Sequence, residues 1–139
     1  MPAAPKKAKK LIRAVGKRKV AVARAVLRPG AGRVRVNSRP LSLWGPRYLV
    51  KKIEEPLSLA GEVAGKVDIE VSVRSSGMSS QADAVRTAIA RALAEYGGEP
   101  LRKKFLEYDR TLLVPDMRQN EPWKPGSSKP RAAAQKSKR

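Results

Sequence analysis

The chain has 139 residues, enough for one compact domain and too few for two of ordinary size. It carries 31 Lys and Arg against 12 Asp and Glu, a formal net charge of +19, with 4% aromatic residues and neither cysteine nor histidine. These figures exclude disulfides, thiolate or imidazole metal sites and Ser-His or Cys-His nucleophile pairs, and they point to a polyanionic partner.

Residues 1–12 open with Pro2 and Pro5 among Ala and Lys, without apolar periodicity, and read as a basic flexible arm. From Lys19 to Arg28 the pattern alternates, with Ala21, Ala23, Ala25 and Leu27 on one side and Val20, Val22, Arg24, Val26 and Arg28 on the other; this predicts a strand. Pro29-Gly30-Ala31-Gly32 reads as a turn rather than a phosphate loop, because no Lys-Ser/Thr and helix follow it. Arg33 to Val36 then predicts a second strand, paired with the first as a hairpin.

Pro46 suits a first helical turn, and Leu49, Val50 and Ile53 follow at helical spacing until Pro56 interrupts; Leu57 to Ala60 form a further turn that Gly61 closes. Val67 to Arg74 alternates strictly and predicts a strand covered on one face. Its Asp68 and Glu70 are expected to pair with arginines of a neighbouring strand rather than to hold a metal. The stripe Val85, Ala88, Ile89, Ala92, Leu93 and Tyr96 predicts the main helix, with Ser80 and Asp83 as a capping box and Gly97-Gly98 as its end. Asp83 and Arg86 are three apart and suit an ion pair on that helix. A shorter helix with Pro100 in its first turn carries Leu101, Phe105 and Tyr108, and Thr111 to Val114 suggest a last short strand.

Residues 115–139 are rich in Pro and Lys and read as an extended basic tail, with a reach on the order of 80 Å. Trp123 within it suits stacking on a base and packing on the domain equally. The expected organisation is therefore an arm over 1–12, a globular domain over 13–114 and a tail over 115–139. The expected fold is α+β, a small mixed sheet with helices packed on one face.

Charge is not evenly spread. Every charged residue among the first 52 is basic, sixteen in all, whereas residues 53–110 are close to balanced and the tail is basic again. A one-sided basic surface with two basic extensions suits a phosphate backbone. No apolar run reaches the length of a signal-peptide core or a membrane span, so a soluble cytoplasmic protein without a membrane partner is expected.

Gly16-Lys17-Arg18-Lys19-Val20-Ala21-Val22-Ala23-Arg24 resembles the opening motif of the family of ribosomal protein nine of the small subunit. Gly30-Ala31-Gly32 with Val34 and Val36-Asn37, the run Gln81 to Leu93, and the closing Ser137-Lys138-Arg139 resemble three further motifs of that family, in the same order. Ile53-Glu54-Glu55-Pro56-Leu57, Asp109-Arg110 and Gln135-Lys136-Ser137 are similar to its archaeal-type branch. The resemblance implies a structural role in translation. It implies a fold like the second domain of small-subunit ribosomal protein five, with a left-handed βαβ crossover. It also implies a place on ribosomal RNA in the subunit head beside neighbouring ribosomal proteins, and a tail whose Ser137, Lys138 and Arg139 approach the anticodon arm of peptidyl-site transfer RNA.

The candidate ribosomal RNA contacts are Lys17, Arg18, Lys19, Arg24, Arg33, Arg35, Arg86, Arg91, Arg118, Lys124, Lys129 and Arg131, because guanidinium forks and lysine point charges bind phosphates without reading sequence. Arg86 and Arg91 suit ordinary solvent-facing helix positions as well. No catalytic residue, cofactor, metal or small-molecule substrate is expected. An RNA-processing enzyme is the second reading, opposed by the lack of histidine and of clustered carboxylates away from basic neighbours. An architectural DNA-binding protein is the third, opposed by the absence of any helix-turn-helix, ribbon wedge or zinc spacing.

Overall fold

The alternating strand at residues 20–28 is the second of two, and its partner begins inside what reads as the arm. The computed structural model describes residues 11–135; residues 1–10 of the expected arm, and Ser137, Lys138 and Arg139, lie outside them. The elements are β1 (Ile12–Arg18), β2 (Ala21–Pro29), β3 (Val34–Val36), β4 (Arg39–Pro40), a 3-10 turn (Leu41–Leu43), α1 (Arg47–Ala60), α2 (Glu62–Gly65), β5 (Val67–Arg74), α3 (Met78–Gly97), α4 (Glu99–Tyr108) and a second 3-10 turn (Arg110–Leu112). Five strands form one mixed sheet in the order β1-β2-β5-β3-β4, so the α+β architecture expected from the sequence is present.

The expected hairpin between β2 and β3 does not form. β2 pairs antiparallel with β1 on one side and with β5 on the other, while β3 runs parallel to β5. The hairpin is β1–β2 instead, turned at Lys19, whose φ of 52° is left-handed. A lysine in that conformation carries none of the Gly or Asn signature of a tight turn, so the turn is hidden inside a run of cations. The Pro29–Gly32 segment crosses the end of β5. Asp68 there accepts the backbone N–H groups of Ala31 and Arg33, each at 2.9 Å, and Gly30 N donates to Lys66 O at 2.9 Å.

Alternation decides which sheet face is covered. Ala21, Ala23, Ala25 and Leu27 of β2 and Val67, Ile69, Val71 and Val73 of β5 are all buried, as are Ile12 and Val36. Against them lies α3, which presents Ala84, Val85, Ala88, Ile89 and Ala92 with no exposed surface. Small side chains on both surfaces bring helix and sheet unusually close. A Cβ on Gly16 would stand 2.1 Å from Ala84 O and 2.6 Å from Ala88 N, so β1 meets the backbone of α3 at that point. Glycine is required there by contact, not by turn geometry.

Four local expectations are corrected. α1 runs unbroken through Pro56, which is buried with Leu49, Val50, Ile53 and Ala60; burial of that apolar face outweighs one missing backbone hydrogen bond. α3 begins at Met78 with Gly77 as its N-cap and no side-chain cap, so Ser80 and Asp83 form no capping box. Thr111 to Val114 is not a strand: Asp109 accepts Thr111 N at 2.8 Å and winds a 3-10 turn instead. Asp83 does not pair with Arg86; it meets Lys52 of α1 and Arg18 of β1.

Candidate nucleic-acid interface

Among the described residues no helix covers the second sheet face. In register across the strands it presents Lys17–Val22–Arg74, then Val15–Arg24–Ser72, then Arg13–Val26–Glu70–Arg35, then Arg28 beside Asp68. Six exposed cations (Arg13, Lys17, Arg24, Arg28, Arg35 and Arg74) stand on it with two carboxylates. Strand geometry sets their spacing: about 4.8 Å between neighbouring strands and about 6.8 Å between successive same-face residues. One of the two acids is engaged locally. Backbone N–H groups of Arg33 and Ala31 hold the Asp68 carboxyl below its usual range, so it stays ionised to fix the β2–β3 connection. Its partners are thus backbone amides, not the cross-strand guanidinium expected, while Glu70 stands opposite Arg35.

The candidate contacts divide by location. Lys17, Arg24 and Arg35 are on the open face, Lys19 is exposed at the β1–β2 turn, and Arg33 is exposed beside the face on the loop into β3. Arg18, Arg86 and Arg91 are turned inward. Arg18 lies on the covered side of β1, within 3.8 Å of Asp83 and 3.2 Å of Asp116, and Nη1 donates to Arg118 O at 3.3 Å. Arg86 Nε donates to Glu55 at 2.7 Å and its Nη2 to Asp109 at 3.0 Å, with only 12% of the side chain exposed. Burial works against the Arg86 charge, but these carboxylates outweigh it and raise the guanidinium pKa. Burial likewise raises Asp109, and hydrogen bonds from Thr111 and Arg86 more than reverse it, leaving that carboxyl low. Arg91 donates to Leu113 O at 2.9 Å and to Val15 O at 2.6 Å, tying the chain before the tail to β1.

The tail starts from that tie. Asp116 forms a parallel bridge with Arg18 at the β1 edge. Side-chain and backbone hydrogen bonds from Arg118, with Arg18 nearby, hold the Asp116 carboxyl far below its ordinary value. Arg118 and Arg131 are both exposed and pair with Asp116 and Glu121 respectively, while Lys124 and Lys129 are exposed without an ion pair among the described residues. Trp123 is 68% exposed, which favours availability over packing on the domain. Sequence reasoning passed over Arg13, Arg28 and Arg74. Their parity with Lys17, Arg24 and Glu70 along each strand is the signal that finds them.

Among the described residues there is no cluster of three or more His, Cys, Asp or Glu side chains able to hold a metal, and no helix is long and apolar enough to cross a membrane. Helices thus cover one face of the sheet, arginine rows stand on the other, and a basic tail is tied to the sheet edge at Arg18. The family model described as ribosomal protein S9/S16 matches residues 16–139. Small ribosomal subunit protein uS9 of Methanococcus maripaludis strain C7 is 47% identical over 133 residues, covering 94% of this chain and 99% of the relative. The protein of the same name from Methanococcus vannielii is 48% identical over the same shares. The chain belongs to the ribosomal protein S9/S16 family, and it is a structural component of the cytoplasmic ribosome, not an enzyme.

Proposed function

We propose that the chain is built into the small ribosomal subunit by laying its open sheet face on the phosphate backbone of ribosomal RNA, with the tail carrying further contacts away from the body. The arginine rows of that face support this reading most directly: Arg24 and Arg28 on β2 and Arg35 on β3, the two strands that flank β5, are exposed on the face that no helix among the described residues covers. Arg13, Lys17 and Arg74 widen the row, and Lys19 and Arg33 extend it at its margins. Phosphate contacts of this kind position a protein without reading sequence. In this reading residues 13–114 are the RNA-binding body and residues 1–12 and 115–139 its basic extensions, with Ile12 already part of the β1 core.

Arg118, Lys124, Lys129 and Arg131 distribute charge along the tail, and the family resemblance of Ser137, Lys138 and Arg139 supports an approach to peptidyl-site transfer RNA. Arg18, Arg86 and Arg91 serve the fold in this reading, since their donors already have partners inside the chain. Two measurements test the whole. Small subunits should carry the protein through a low-salt gradient and lose it at high salt; recovery only in free fractions overturns the ribosomal RNA reading. Deleting Lys138-Arg139 should leave subunit assembly intact and weaken peptidyl-site transfer RNA binding; unchanged affinity of the truncated subunits removes the transfer RNA role.

A further inference from the structure

Three loops converge at one end of the sheet. The β3–β4 turn is bound to β5 through Asn37, whose Nδ2 donates to Val73 O at 3.2 Å and whose Oδ1 accepts Val73 N at 2.9 Å. The β5–α3 loop is held by Gln81 Nε2, which donates to Ser75 O at 3.1 Å. The connection from Leu43 to Tyr48 meets the first residue of α3, directly after this second loop, since a Cβ on Gly45 would stand 2.9 Å from Met78 Cε. Four of the five non-glycine residues with positive φ among those described are found here: Asn37, Ser38, Ser75 and Ser76. Backbone of that kind is held only where the surroundings over-determine it.

The side chains carried by these segments combine exposed apolar groups with arginines. Leu43 is 73% exposed, Tyr48 70% and Met78 47%, whereas Trp44 packs against the core. Tyr48 stands in the first turn of α1 and contributes nothing to the buried interior. On the same or flanking segments Arg39, Arg47 and Arg74 are exposed, and neither residues 19–53 nor residues 71–82 contain an Asp or Glu. An exposed aromatic ring on segments that carry arginines and no acid matches an unstacked nucleobase with its flanking phosphates. A peptide segment docking on the same apolar groups would face three arginines without any acidic complement from this chain.

We propose that this corner receives a single unpaired RNA base, stacked on the Tyr48 ring, with Leu43 and Met78 as apolar surround and Arg39 and Arg47 on the adjacent phosphates. The proposal rests on the ribosomal RNA reading and adds to it a site that recognises unpaired rather than helical RNA. The test uses the full chain with two probes of equal length: a single-stranded oligoadenylate carrying a central 2-aminopurine, and an RNA duplex. The expected result is that Tyr48→Ala weakens the single strand about tenfold, as loss of one base–aromatic stack implies, and leaves the duplex unchanged. Tyr48→Phe retains wild-type affinity for both. Equal affinity of Tyr48→Ala and wild type for the single strand overturns the proposal, as does an equal loss on both probes. Loss of capture of another small-subunit protein by Tyr48→Ala, with RNA affinity intact, also overturns it and assigns the corner to a protein. Failure of the wild type to bind either probe defeats the ribosomal RNA reading itself, a result distinct from failure at this corner.

Discussion

Replacing Arg24, Arg28 and Arg35 together by alanine tests the open face most sharply. All three side chains are exposed on the face without helices, so the core of Ala23, Ala25, Leu27 and Val36 is untouched. Each phosphate contact releases counterions, and the logarithm of the binding constant falls by about 0.7–0.9 per contact for each tenfold rise in salt. Three lost contacts lower the slope by roughly 2–3 and weaken binding in 0.1 M salt by about 2–3 log units. The assay is fluorescence anisotropy of a labelled small-subunit ribosomal RNA fragment over a salt series, with circular dichroism to verify the fold. The control is Lys103→Ala on α4, on the helical side, which should leave the slope within about 0.5 of wild type. A folded triple variant with an unchanged slope refutes the assignment. An equal loss in the control shows that binding is diffuse rather than seated on the sheet.

Three further outcomes follow from the internal geometry. Gly16→Ala puts a methyl 2.1 Å from Ala84 O, and since ordinary contact begins at 3.4 Å, α3 must retreat by more than an ångström; a loss of about 2–4 kcal/mol is expected, read as a drop in Tm of roughly 10 °C in differential scanning calorimetry. Arg18→Ala should speed tryptic cleavage after Arg118 several-fold by releasing the Asp116 tie, while changing the salt slope far less than Lys17→Ala does. Asp109 has a folded-state pKa below the ordinary 3.8, so the unfolded chain takes up its proton first as pH falls. Its contribution is full above about pH 5 and is lost as pH falls through the folded value, and Asp109→Asn should therefore flatten the acid limb of a Tm–pH profile.

The buried layer was legible because it obeys period. The alanine side of β2, the valine side of β5 and the stripe from Val85 to Leu93 all lie where alternation and helical spacing put them. The long-range pairing was not legible. β5 inserts between β2 and β3 through a crossover containing α1 and α2, and no local pattern reports which strand takes which neighbour. The β1 strand was obscured for a different reason: Gly16 is an unfavourable strand residue whose presence is explained only by a helix backbone that comes 68 residues later, at Ala84. Pro56 and Ser80 misled because burial overrides local propensity in the first case and because the cap in the second is a glycine two residues before Ser79.

The candidate site was half legible, and the arginines show why. Composition counts Arg18, Arg86 and Arg91 with Arg24, Arg28 and Arg35, yet the two sets do opposite work. The first set joins elements: Arg86 draws together α1, α3 and the residue that begins the last turn, Arg91 holds two carbonyls 98 residues apart in sequence, and Arg18 fastens the tail to the sheet edge. Each task needs several donors in a fixed plane, which a lysine ammonium does not supply. The second set stands in rows and forms no ion pair among the described residues, although Asp68 lies beside Arg28 and Glu70 opposite Arg35. What separates them is parity within a strand or face within a helix: Arg18 differs from Lys17 by one residue and therefore by one side of the sheet. A basic motif such as Gly16 to Arg24 is thus two devices interleaved, one residue in register with the core and its neighbour in register with the open face, so net charge overstates the number of cations that a phosphate backbone can meet.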